Sequence, residues 1–152
     1  MQPPSAQEIA STVSASMHRD DRCAALLGIE PVAVAPGSAV MRMTVRKDMA
    51  NGHAICHGGL IFTLADTAFA HACNSYNVVS VAAGCSIEFL LPAQIGDTLT
   101  ASAEQRVVRG RSGVFDITVS NQHGETVALF RGKSHRLNEP VVAAAGEAAP
   151  DN

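Results

Sequence analysis

Residues 51–73, NGHAICHGGLIFTLADTAFAHAC, open on polar and glycine-rich positions and turn almost wholly apolar after Gly59, yet they hold one carboxylate, Asp66, inside the apolar run. This run predicts the chain's one long helix. Because it is apolar on every side, it predicts a helix enclosed by protein rather than one lying on a surface. A buried acid is costly unless it is paired, hydrogen-bonded or used, since desolvation penalises its charged form. Asp66 therefore requires a reason.

Two readings are open. In the local one, Thr63, Thr67 or a neighbouring strand satisfies the carboxylate. In the functional one, Asp66 works with the start of its own helix. There Gly58 and Gly59 leave unpaired N–H groups at the positive end of the helix, where a developing oxyanion is stabilised. Spacing adds a demand. Gly59 and Asp66 are seven residues apart, about 10 Å along a helix axis, too far for one chain to bring both to one carbonyl. A second copy packed antiparallel across a two-fold axis places the acid of one subunit beside the amides of the other and creates two equivalent sites. The expectation is an obligate homodimer at least.

The flanking sequence has a different periodicity. Met41, Met43 and Val45 alternate with Arg42, Thr44 and Arg46 after a Pro36-Gly37 turn, which marks a half-buried strand. The same alternation recurs at Leu99–Glu104 and Phe115–Ser120, and TVALFRGKSHRL follows from Thr126. Turn residues at 109–113 and 121–125 join these three as an antiparallel meander. VVSVAAGCSIEFLL, from Val78, adds a mostly apolar strand with small residues. Short helices are expected between Ala6 and Leu27. One buried helix and one large antiparallel sheet imply an α+β architecture in which the sheet curls around the helix. The folded domain is expected over 6–137, with a disordered tail over 138–152.

At 152 residues the chain suits one domain, and 47% hydrophobic residues with a formal net charge of -3 argue against a polyanion-binding surface as its main business. No nucleic-acid partner is expected. The opening MQPPSAQEIA has no basic segment leading into an apolar run, and the longest apolar stretch is too short to span a membrane, so a cytoplasmic protein with no membrane partner is expected. Cys23, Cys56, Cys73 and Cys85 are scattered without a CxxC pair, which predicts reduced thiols.

Three stretches together, the run from Asn51 to Ser75, CSIEFLLPAQIGDTLTA from Cys85 and VALFRGKSHR from Val127, resemble the hot-dog-fold acyl-CoA thioesterases of the phenylacetate-degradation type. The resemblance spans roughly residues 24–137, and its specific part is HGG followed by a helical Asp. It implies a hot-dog fold, in which a curved antiparallel sheet wraps one long helix, assembled as dimers and dimers of dimers. It implies hydrolysis of aromatic acyl-CoA esters such as phenylacetyl-CoA, with no cofactor beyond the CoA of the substrate. By the same resemblance, Asp66 is the general base or nucleophile and the Gly58 N–H polarises the thioester carbonyl. Asn51 and His57 orient substrate or water, and Gly59 and Thr67 lie along the substrate. Some relatives hold the water with a serine where this chain has Ala82 or Ala83. Ser112 and Gly113 match positions passed by pantetheine and nucleotide.

Arg109, Arg111, Arg131 and Lys133 are candidates to meet the CoA phosphates, because guanidinium and ammonium groups suit those charges. FRGKS lacks the first glycine of a phosphate-binding P-loop, Val127 standing in its place, and it falls on a strand. His53, Cys56 and His57 do not make a zinc site, since His71 and Cys73 lie several turns away along the helix. Two rival functions share the fold. An enoyl-CoA hydratase needs an acid and a histidine on one substrate, but Asp66 and His71 are five residues apart and point to different sides of a helix. A non-catalytic acyl-CoA-binding protein has no use for the internal acid.

Overall fold

The computed structural model describes residues 1–144. Helices α1 (Ala6–Asp20) and α2 (Arg22–Leu27) lead into strands β1 (Glu30–Ala35) and β2 (Ser38–Thr44). A 3₁₀ turn at Lys47–Met49 and a loop then reach helix α3 (Gly58–Asn74), followed by β3 (Ser80–Phe89), β4 (Thr98–Arg109), β5 (Ser112–Ser120) and β6 (Thr126–Arg136). Ser5 caps α1 through a reciprocal pair with Glu8, the Oγ accepting from the Glu8 N–H and the Glu8 carboxylate accepting from the Ser5 N–H. Gly28 ends α2 with a φ of 67°.

All six strands form one antiparallel sheet in the order β1-β2-β4-β5-β6-β3. The expected meander is β4-β5-β6, and the apolar strand from Val78 becomes β3, paired to β6 along one edge only. Strand β1 was not expected. Its sequence, EPVAVA, contains a proline and little alternation, and it forms an edge strand with an irregularity between Pro31 and Ala33.

The period-2 alternation decides what faces the helix. Met41, Met43, Leu99, Ala101, Ala103, Phe115, Ile117, Val119 and Phe130 turn inward and are buried with Ile61, Leu64, Ala65, Ala68, Phe69 and Ala72 of α3. The Phe69 ring meets Phe115 and Phe130 at centroid distances of 5.6 and 6.0 Å. Gly132 is needed under that ring, because a Cβ there would stand 2.7 Å from its Cζ.

Two expectations are corrected. Helix α3 is not enclosed on every side, since Gly59 is exposed and Phe62, Thr63, Asp66 and Ala70 are only half-buried. At helical spacing these positions form one stripe along α3 that the single chain leaves partly open. The chain just beyond residue 137 also does not run free. Val79 N–H donates to the Glu139 carbonyl, Leu137 N–H donates to the Val79 carbonyl, and Val142 and Asn77 exchange two hydrogen bonds of 2.9 and 3.1 Å. These bonds hold 138–144 against the turn after α3; the remainder of the expected tail, 145–152, lies outside the described residues. No helix among the described residues is long and apolar enough to cross a membrane.

Candidate active site

The loop before α3 is built by Asn51. Its Oδ1 accepts from the N–H groups of His53 and Ile55 at 2.9 and 3.4 Å, while the backbone pairs Asn51 N–H with the Ile55 carbonyl. This closes a tight loop in which Ala54 takes a φ of 58°. Cys56 N–H donates to the Ala93 carbonyl and His57 N–H to Met49, so the loop is pinned from both sides. The chain enters α3 in one fixed direction.

His57 is the N-cap of α3, with its Nδ1 accepting from the Gly59 N–H at 3.3 Å. Gly58, the first helical residue, has no intrahelical acceptor, and its N–H has no hydrogen-bond partner among the described residues. The free donor at the positive end of α3 is therefore that of Gly58.

Asp66 lies eight residues further along, about 12 Å on the helix axis. The local reading of its carboxylate does not hold. Thr63 Oγ1 donates to the Gly59 carbonyl at 3.0 Å and Thr67 Oγ1 to the Thr63 carbonyl at 2.7 Å, so both neighbouring hydroxyls are spent on the helix backbone. No described residue donates a hydrogen bond to Asp66. Burial, with the charge of Asp21 adding to it, pushes the Asp66 carboxyl above the usual carboxylate range.

His71 is in a different place, as the helical spacing predicts. It is buried, and its Nδ1 shares a 2.8 Å hydrogen bond with the buried Ser14 hydroxyl of α1. Burial and then the nearby His18 push it down to about 4, against a smaller opposing pull from Asp21. It ties α1 to α3, and a hydratase's acid–histidine pair is not assembled.

That depressed value carries a stability prediction. A histidine that folds neutral binds fewer protons than the unfolded chain, so its contribution is intact above pH 6.5 and is lost as pH falls toward about 4. The loss amounts to about 3 kcal/mol at most. Urea unfolding from pH 7 to 4 should show it, and His71→Gln should flatten that part of the profile.

The other expected residues lie apart from the α3 start. Thr67 is buried with its hydroxyl used as above. Ala82 and Ala83 lie at a bulge of β3, where Ala82 pairs with Ser134, and both are exposed along an edge that no strand among the described residues covers. Arg109, Arg111 and Ser112 form the β4–β5 turn, with the left-handed Gly110 between the two arginines. Gly113 offers no ligand surface. It is buried, and a Cβ there would stand 2.6 Å from Ser134 Oγ.

Arg131 and Lys133 point to the outer face of β6, with Phe130, Gly132 and Ser134 turned inward. Arg131 is already engaged, since its Nε and Nη2 reach both Asp116 oxygens at 2.7 and 2.9 Å, with Arg106 approaching the same acid at 3.5 Å. Among the described residues, no three His, Cys, Asp or Glu side chains come together as a metal site.

One residue of this region was not anticipated. Phe89, at the end of β3, brings its ring over Gly58, so that a Cβ on Gly58 would meet Phe89 Cζ at 3.1 Å and Cε1 at 3.3 Å. It borders a cleft of about 310 Å³, lined also by Ile55, Cys56, Ile61, Leu91 and Asn51. Only long-range pairing sets this contact, so no local pattern marks it.

The chain matches the model of the thioesterase superfamily over residues 53–128. It is 51% identical over 130 residues to the acyl-coenzyme A thioesterase PaaI of Escherichia coli K12, covering 86% of this chain and 93% of that protein. The solved structure of the E. coli PaaI protein from the phenylacetic acid degradation operon superposes with a TM-score of 0.88 at 49% identity, over 90% of this chain and 99% of that one. A single-site variant of the phenylacetic acid degradation protein PaaI from Thermus thermophilus gives 0.74 at 34% identity, over 77% of this chain and 100% of that one. With its helix wrapped by a curved six-stranded antiparallel sheet, the chain belongs to the thioesterase superfamily, among the hot-dog-fold acyl-CoA thioesterases of the phenylacetate-degradation type.

Proposed function

We propose that the chain hydrolyses aromatic acyl-CoA thioesters, such as phenylacetyl-CoA or a ring-hydroxylated relative, to the free acid and CoA, in the cytoplasm. The operon named for the E. coli relative supports an aromatic acyl group. Two equivalent sites form across each dimer interface, and two dimers pair. At each site the thioester carbonyl accepts the Gly58 N–H of one protomer, while Asp66 of the other activates a water or attacks the carbonyl carbon itself. Either route releases CoA from a tetrahedral oxyanion held by the same donor. No cofactor is needed beyond the CoA of the substrate.

The observation that carries this reading is the pair of unsatisfied groups on one helix. Among the described residues the half-buried carboxylate of Asp66 has no donor and the N–H of Gly58 no acceptor, and about 12 Å of helix separates them. A second α3 running antiparallel over the open stripe brings each to the other. β3 packs against α3, and its edge away from β6 is paired with no strand among the described residues. Asn51 and His57 hold the entry loop and cap, and Gly59 leaves that end of the helix open to a ligand. Arg109, Arg111 and Lys133 meet the CoA phosphates, and Arg131 joins them only as the Asp116-bound member of the group.

Subunit mixing tests the shared site. Inactive Asp66→Asn and inactive Gly58→Pro protomers, refolded together, should recover about one quarter of wild-type thiol release, because each mixed dimer keeps one intact site. No recovery despite demonstrated mixed dimers places both groups in one chain and ends the proposal.

A further inference from the structure

We infer that Phe89 selects the acyl group, its ring forming the wall beside Gly58 against which an aryl acyl group packs. This rests on the reading that the Gly58 N–H receives the thioester carbonyl. The chain has five phenylalanines. Four pack on one another, the half-buried Phe62 on Phe130 at 5.1 Å and the buried Phe69 on Phe115 and Phe130. Phe89 alone has no aromatic partner among the described residues, and it remains 52% exposed at the mouth of the cleft.

Its position links two requirements. Gly58 and Phe89 line the same cleft, and the ring's Cζ and Cε1 are the atoms nearest to a Cβ built on Gly58, so a carbonyl bonded to the Gly58 N–H stands beside this ring. The acyl group attached to that carbonyl then enters the adjoining cleft of about 310 Å³, at the small end of the range for ligand pockets. Its lining side chains are apolar apart from Asn51 and the Cys56 thiol, and the Asn51 oxygen is already engaged by the loop. The cleft therefore offers mostly apolar area, and the single unpaired ring adds preference for a second ring through edge-to-face or offset packing. A straight alkyl chain fills the same space without that term. A Cβ on Gly58 would stand 3.1 Å from that ring, so a side chain there has to push the wall aside by a few tenths of an ångström.

The test compares thiol release from phenylacetyl-CoA and hexanoyl-CoA by wild type, Phe89→Leu and Phe89→Tyr, with folding checked by thermal melting. Phe89→Leu should lower kcat/KM for phenylacetyl-CoA about fivefold and leave hexanoyl-CoA within about twofold. The loss should fall mainly in KM, since the ring contacts the acyl group before and during reaction alike. Phe89→Tyr keeps the ring and should hold the wild-type ratio of the two esters. An unchanged ratio in Phe89→Leu, whether or not activity falls, overturns the inference. So does loss of the ratio in Phe89→Tyr, which would trace the effect to disturbance of Gly58. Failure of the reading it rests on is seen separately, as equal losses of turnover in Gly58→Pro and Gly58→Ala.

Discussion

Asp66→Asn is expected to lower kcat for acyl-CoA hydrolysis by about 10²–10⁴-fold, the contribution of a positioned general base. KM should change little, because the amide keeps the size and polarity of the carboxyl group. Stability should hold or rise. No hydrogen bond to Asp66 is lost, and a half-buried charge is replaced by a neutral group. That combination separates a functional acid from a structural one, since a carboxylate that secured the fold would lose stability when neutralised. Thiol release and urea unfolding on the same preparation make the measurement, and turnover within tenfold of wild type removes Asp66 from the chemistry.

On the same reading, this carboxylate should set the acid limb of the rate profile. Burial raises its pKa, so the reactive ionised form is lost at a higher pH than for an ordinary aspartate. The kcat/KM of the wild type should therefore fall as pH drops through a point above the usual carboxylate range.

The sequence displays these features unequally, for physical reasons. The long helix was legible as an unbroken apolar run after Gly59, and the meander because one-sided burial imposes a period of 2 on β4, β5 and β6. The Asp66 anomaly was legible because a carboxylate in an apolar run has few inexpensive explanations. Edge strand β1 was not, since a strand paired on one side tolerates a proline and needs no alternation. The open stripe on α3 was hidden for the opposite reason. Phe62 and Ala70 on the stripe are as apolar as the buried residues between them, and composition alone cannot tell an open helix face from an enclosed one. Phe89 over Gly58 depends on helix–sheet packing and Arg131 on Asp116 on strand register, between residues 31 and 15 positions apart, which no local pattern encodes.

Gly58→Pro should lower kcat by about 10²–10³-fold, the usual consequence of removing one oxyanion donor. Proline is tolerated at the first position of a helix because the N–H it lacks is unbonded there in any case. His57, which precedes it, already has φ −62° and ψ 130°, the extended conformation that a following proline requires. The substitution thus removes the one N–H proposed to act while leaving α3 able to form. Its ring also adds a Cβ toward Phe89, where 3.1 Å is too close without a small shift of that side chain. Gly58→Ala adds the same carbon and keeps the N–H, so it isolates the steric part. If catalysis depends on the donor, the alanine variant retains most of its kcat and the proline variant does not. Equal losses in the two would assign the effect to displacement of Phe89 and leave the carbonyl without its proposed partner.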